Sequence, residues 1–326
     1  MYKKIVFVIS MVASLFAVNV NGAPVGYSIN SDSGSPNADS LYTIDLLTGV
    51  DDRKGLLDTG IPFDTLPIDT EGLAFDRDGT LWGIDDATRT LFPINKLSGS
   101  INSLNKIPFP VFPPLGSNDF GMTFSCDNSL YVTSTLNPTL YRLGLDGSTQ
   151  IIGSKGDLGV NISAIAANDS TTTLYGLGNG ELINGATDAP NLYRIDMTTG
   201  VATMVGALGV EARGYNQAGL AFDSEGQLWA ITDRRVLNQT DTGNHSDILR
   251  IDLGTGAATL VSTTVNELGF ESLAIGPPPA CATLTNRSKV DESDTEAIPT
   301  LNLTGRLLSI LILMLAGATI LRRRIS

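Results

Sequence analysis

Residues 192–200, LYRIDMTTG, recur along the chain, and a chain that repeats itself at such spacing has few folds open to it. SLYTIDLLTG ends at Gly49, TLFPINKLSG at Gly99, TLYRLGLDG at Gly147 and DILRIDLGTG at Gly256. Each copy reads as a short strand with an aromatic or leucine near its start. Each then runs into a turn closed by glycine, the residue best suited to a left-handed position. In that turn an aspartate such as Asp196 or Asp252 is placed to accept local amide bonds. Five copies at intervals of about 50 residues describe a repeat architecture.

The segments between the copies share a layout. An inner strand opens each unit: GLAFD from Gly72, GMTFS from Gly121, AIAAN from Ala164, GLAFD from Gly219 and SLAIG from Ser272. Turns such as Asp76-Arg77-Asp78-Gly79 follow, then a second strand bearing Tyr27, Trp82, Tyr131, Tyr175 or Trp229. The third strand carries Tyr42, Phe92, Tyr141, Tyr193 or Leu249, and a fourth follows the glycine turn. Four short antiparallel strands repeated radially make a β-propeller. The first unit lacks an inner strand, while the one at Ser272 lacks the rest of its blade. One blade is therefore expected to be stitched from both ends of residues 23–276, closing a five-bladed ring and hiding its sheet edges. The wording L-Y-x-I-D-x-x-T-G resembles that of secreted bacterial propellers with LYRID-type repeats, which implies the fold and no activity.

Both ends of the chain read as processing segments. Residues 1–22 have a signal-peptide layout: Lys3 and Lys4, an apolar run, and a small-residue site before Ala23. At the other end, residues 307–321 are uncharged. Fifteen helical residues reach only about 22 Å, and counting back to Ile298 supplies a span for a bilayer core of roughly 30 Å, with Arg306 snorkelling. Ile298-Pro299-Thr300-Leu301, Gly305, this apolar run and Arg322-Arg323-Arg324 together resemble the IPTL-type sorting signals of Gram-negative bacteria, relatives of PEP-type signals. Thr304 stands where such signals usually carry Trp. The resemblance implies a transmembrane helix in the precursor, cleavage by an exosortase-like sorting protease, and delivery to the cell surface or extracellular matrix. A permanent membrane anchor is the alternative. Residues 277–297, opened by three prolines and then polar, read as a flexible linker.

The chain has 21 Lys and Arg against 34 Asp and Glu, and six of the basic residues lie in the two processed ends. The body is thus strongly acidic, which excludes nucleic acid as a partner and favours cations. Cys126 and Cys281 can form a disulfide outside the cytoplasm or remain two free thiols. With His245 alone they make no zinc site, and His245 reads as an exposed loop residue.

Positions just before the inner strands should line one mouth of the central channel. They are Thr70-Glu71, Asp119-Phe120, Ile162-Ser163, Gln217-Ala218 and Phe270-Glu271. Glu71 and Glu271 are expected as neighbours, with Asp119 next along. Three convergent carboxylates can hold Ca²⁺ through oxygen, or else simply cap strand ends in solvent. TEGLAFD faintly resembles the Glu-Gly start used by propeller lactonases for a metal. No nucleophile elbow, Walker loop or dinucleotide fingerprint is present. The primary expectation is therefore a non-enzymatic binding or adhesion module for a surface polysaccharide or protein. The rivals are a metal-dependent hydrolase or lactonase at the channel mouth and a purely structural matrix protein.

Overall fold

A computed structural model describes residues 23–31, 36–58, 69–102, 105–109, 119–180, 189–212, 214–234 and 245–281. The signal-peptide residues 1–22, residues 282–297 of the linker and the sorting segment 298–326 lie outside these. Among the described residues no helix is long and apolar enough to cross a membrane.

The described strands form five antiparallel sheets. Blade one holds β1 (Val25–Asn30), β2 (Ser40–Asp45) and β3 (Asp51–Leu56). Blade two holds β4 (Thr70–Phe75), β5 (Leu81–Asp85), β6 (Thr90–Ile94) and the short β7 (Ile107–Pro108). Blade three holds β8 (Phe120–Phe124), β9 (Leu130–Ser134), β10 (Asn137–Leu143) and β11 (Thr149–Ile152). Blade four holds β12 (Ala164–Ala167), β13 (Thr173–Gly178), β14 (Asn191–Asp196) and β15 (Ala202–Ala207). Blade five holds β16 (Tyr215–Phe222), β17 (Leu228–Arg234), β18 (His245–Ile251) and β19 (Ala258–Leu268). This is the five-bladed propeller the repeats imply.

The glycine turns explain the uniform third-to-fourth strand connections. Gly49, Gly200 and Gly256 sit at φ of 74°, 73° and 79°. Asp196 Oδ1 accepts from the amides of Thr198 and Thr199, both at 2.8 Å, and Asp252 Oδ1 accepts from Gly254 and Thr255. For Asp252 the Thr255 hydroxyl, which donates to Oδ1 at 2.8 Å, is the largest influence. With the amide bonds it holds Asp252 below the usual aspartate range, where the amide bonds also hold Asp196. Burial grades outward from the channel: β4 is buried throughout, whereas β15 is half-buried to exposed.

The core is divided among the blade contacts. One hydrophobic cluster joins blades one and two around Ile29, Leu73 and Phe92, and another joins blades two and three around Ile84, Phe120 and Val132. Further clusters join three to four, four to five, and five back to one, the last through Trp229, Ile231, Tyr42 and Phe270. Trp82 and Trp229 anchor corresponding turns by donating from Nε1 to Asp76 and Asp223 at 2.9 and 2.8 Å.

The ring closes between the two ends of the body. Antiparallel bridges pair Tyr27 with Ala274 and Asn30 with Phe270. The Tyr27 and Ala274 amides each donate to the other's carbonyl, at 2.8 and 2.9 Å. Ser28 Oγ donates to the Ser272 carbonyl, and the Ile29 amide donates to Ser272 Oγ at 3.2 Å. Residues 270–274 are thus the inner strand of blade one, added last.

Beyond them only the first five residues of the expected linker, 277–281, are described. Residues 277–281 run across the far end of the channel, where Pro278 and Pro279 lie over Phe75, Phe124, Ala167 and Phe222. The cavity left beneath is about 30 Å³, room for a water or two. Cys281 is joined by a disulfide to Cys126, in the β8–β9 turn of blade three.

Inner strands approach each other most closely where glycine opens them. A Cβ on Gly219 would overlap the backbone of Ser272 and Leu273, and one on Gly121 would lie 2.9 Å from Ala164 Cα. Because the obstructing atoms at Gly219 are backbone, Gly219→Ala should cost about 3 kcal/mol. Gly254→Ala, which meets only a side-chain oxygen at 3.4 Å, should cost under about 0.5 kcal/mol. Urea denaturation of the two variants measures the contrast.

Candidate functional site

Three consecutive inner strands around the ring, β16, the closing segment 270–274 and β4, share an irregularity that β8 and β12 lack. In β4 the register steps from Thr70↔Asp85 to Gly72↔Ile84, so Glu71 is an extra residue. In β16 it steps from Tyr215↔Arg234 to Ala218↔Thr232, which inserts one residue beside Gln217. Between its bridges the closing segment spans four steps against three in β1, an extra residue in the stretch carrying Glu271. By contrast β8 and β12 pair without a break in register. A bulge bends a strand and re-aims a side chain out of the alternating pattern. Here all three deliver a polar side chain to the same mouth.

Glu71 is 6% exposed and Gln217 is 3% exposed. Gln217 Nε2 donates to Glu71 Oε2 at 3.2 Å, while Gln217 Oε1 is buried with no hydrogen-bond partner. The Glu71 and Glu271 carboxyls are hydrogen-bonded to each other. A turn bond from the Asp86 amide to the Asp69 carbonyl, 3.1 Å, draws two more acids in. Carboxylate oxygens of Asp69, Glu71 and Asp86 lie within 4.8 Å of one another.

So many carboxyls in a desolvated mouth cannot all ionise. Burial, then the charge and hydrogen bond of Glu271, and then Asp119 and Asp69, push Glu71 well above the usual glutamate range. Burial also raises Glu271, to about 7, opposed by its bond with Glu71 and reinforced by Asp233 and Asp119. Beside the mouth, burial with Asp69 and Asp85 raises Asp39 to about 6. Asp85 is itself raised by burial, although it accepts from Thr88 and from the Asp69 amide.

Of the residues the sequence singled out, Glu71 and Glu271 meet. Asp119 is near enough for its charge to act on both, and its Oδ2 accepts from Thr135 Oγ1 at 3.1 Å. The sorting residues Ile298, Pro299, Thr300, Leu301, Gly305, Arg322, Arg323 and Arg324 lie outside the described residues. His245 is not a loop residue: it opens β18, half-buried, with Nδ1 lacking a partner. The sequence did not single out Asp69, Asp86 or the buried contact of Gln217 with Glu71. The spacing Asp69-x-Glu71 was visible, but the bulge that gathers it was not.

No family model matches the chain, and no curated protein does. Among solved structures it is similar to a virginiamycin B lyase from Staphylococcus aureus, at 18% identity over 72% of this chain and 73% of that one, TM-score 0.39. It is also similar to a chain of a nidogen/laminin complex, at 14% identity over 79% and 100%, TM-score 0.46. A third is the calcium-binding regucalcin from Agrobacterium tumefaciens, at 17% identity over 73% and 72%, TM-score 0.41. Likeness this distant says nothing of the mouth, whose chemistry rests on the residues above.

The raised carboxyls set the pH dependence of stability. The folded state holds protons on Glu71 and Glu271 that the unfolded chain, with pKa near 4.5, has released. Their contribution is therefore fully present below pH 4.5 and is lost as pH rises through about 7. In chelator, the melting temperature should fall between pH 5 and pH 8, by on the order of 2 kcal/mol of stability from this pair. Glu71→Gln with Glu271→Gln should flatten that part of the slope in a melting series across the same pH range.

Proposed function

We propose that this is an exported, surface- or matrix-sorted propeller acting as a non-enzymatic binding or adhesion module, with a divalent cation at its acidic channel mouth. The observation that supports it is the gathering of Glu71, Glu271 and Asp69 at one mouth beside Gln217, which bonds Glu71 through Nε2 and keeps a buried carbonyl without a partner. A buried acceptor without a donor, among carboxyls that repel one another, fits a cation better than it fits an empty mouth. The donors are all oxygen, with no thiolate or imidazole among them, which selects a hard ion such as Ca²⁺. Such an ion would neutralise the cluster and offer open positions to hydroxyls or carboxylates of a surface polysaccharide or protein. In the same reading residues 1–22 direct export, and the IPTL-like end is handed to an exosortase-like protease.

Saturating Ca²⁺ at one hundred times Kd should raise stability by about 2.7 kcal/mol. That corresponds to roughly 5–10 °C in melting temperature. Glu71→Gln with Glu271→Gln should abolish the shift, and Gln217→Leu should weaken it. Absence of heat in calorimetry, together with an unmoved melting temperature in the unaltered protein, would remove the site.

One observation favours a second reading, a metal-dependent hydrolase or lactonase. Burial and the neighbouring Glu271 push Glu71 well above the usual glutamate range, beside a partner raised to about 7, an arrangement also suited to acid–base work. A screen against lactones and phosphoesters, with and without Ca²⁺, separates the two. The binding module turns over neither class, whereas an enzyme loses turnover in Glu71→Gln.

A further inference from the structure

Residues 270–274 are held differently from the other inner strands. Two isolated bridges join them to β1, where β4, β8, β12 and β16 each run in a ladder with the next strand of their own blade. Immediately after these residues the chain crosses the channel end and is bonded to blade three, skipping blade two. Five residues, 277–281, can reach no more than about 18 Å. While the bond stands, a detached closing segment stays tethered to blade three, its end within about that distance of Cys281.

We propose that the Cys126–Cys281 strap is a thiol-controlled latch on ring closure. Cys126 is fully buried, whereas Cys281 is half-buried and so presents the accessible sulfur. A dithiol attacks there: its thiolate forms a mixed disulfide with Cys281 Sγ and expels the Cys126 thiolate, which takes up a proton. The reagent's second thiol then displaces Cys281, leaving two cysteine thiols and an oxidised, cyclised dithiol. Two electrons have passed from the reagent to the protein. The strap is then free to leave the channel end, and residues 270–274 peel from β1 while blades two to five remain paired. Because this segment carries Glu271, unlatching also takes apart the acidic mouth.

The latch is read from amide hydrogen exchange at Tyr27 and Ala274, whose N–H groups donate across the closure. The measurement uses the full exported chain, oxidised, treated with dithiothreitol, and as the Cys281→Ser variant. Loss of the bond should speed exchange at these two amides on the order of tenfold or more, with Leu174 and Ile195 of blade four unchanged. Unchanged exchange at Tyr27 and Ala274 overturns the proposal. So does an equal acceleration in every blade, which would make the bond a general cross-link, and so does a bond that survives the reductant in the folded protein. Should Cys281→Ser fail to fold, the reductant arm on folded protein carries the test.

Discussion

The antiparallel contact between Tyr27 and Ala274 is what the rest of the molecule depends on. Each blade buries one face against each neighbour, so a ring of five needs five such interfaces, and the last exists only if the two ends of the body meet. Without it, the clusters containing Tyr42, Trp229 and Phe270 on one side and Ile29 and Leu73 on the other would lose a wall. Two bridges and a few serine hydrogen bonds are a modest hold for that duty. The disulfide adds to it by closing a separation of 155 residues, which in chain-entropy terms restricts the unfolded state by about 5 kcal/mol.

The mouth is a place where the fold accepts a cost. Desolvating Glu71 next to Glu271, with Asp69, Asp119 and Asp233 nearby, is unfavourable for every ionised member. The backbone could have avoided this, because β8 and β12 reach the same channel in unbroken register and carry no carboxylate of their own. The three bulges fall only on the consecutive inner strands that bring Glu71, Gln217 and Glu271 together. Near-symmetric blades thus carry an asymmetric site, confined to the arc that includes the seam.

The blade count was legible because every glycine turn requires a left-handed residue, fed in three blades by an aspartate and in blade two by Asn95, and these leave a mark in the sequence. The seam was legible for a similar reason: an inner strand at Ser272 without partners of its own matches a blade at Tyr27 without an inner strand. The bulges were not legible, since one inserted residue in an inner strand buried on both faces disturbs no alternation that could be counted. Gln217 was therefore only one mouth position among several. The strap of residues 277–281 left no mark, because three prolines end a sheet equally well whether the chain then departs or crosses the channel. The pairing of Cys126 with Cys281 needed a distance, and sequence contains none.

The seam also imposes a delay. Ser28 and its partner Ser272 stand 244 residues apart, so β1 emerges long before the segment that will cover it. At about 5–20 residues per second of synthesis, the gap is roughly 12–50 seconds. Through that interval the open side of β1 is a bare template for any other extended chain. A protein sewn shut by its final strand must be shielded from its neighbours until the last stitch is made.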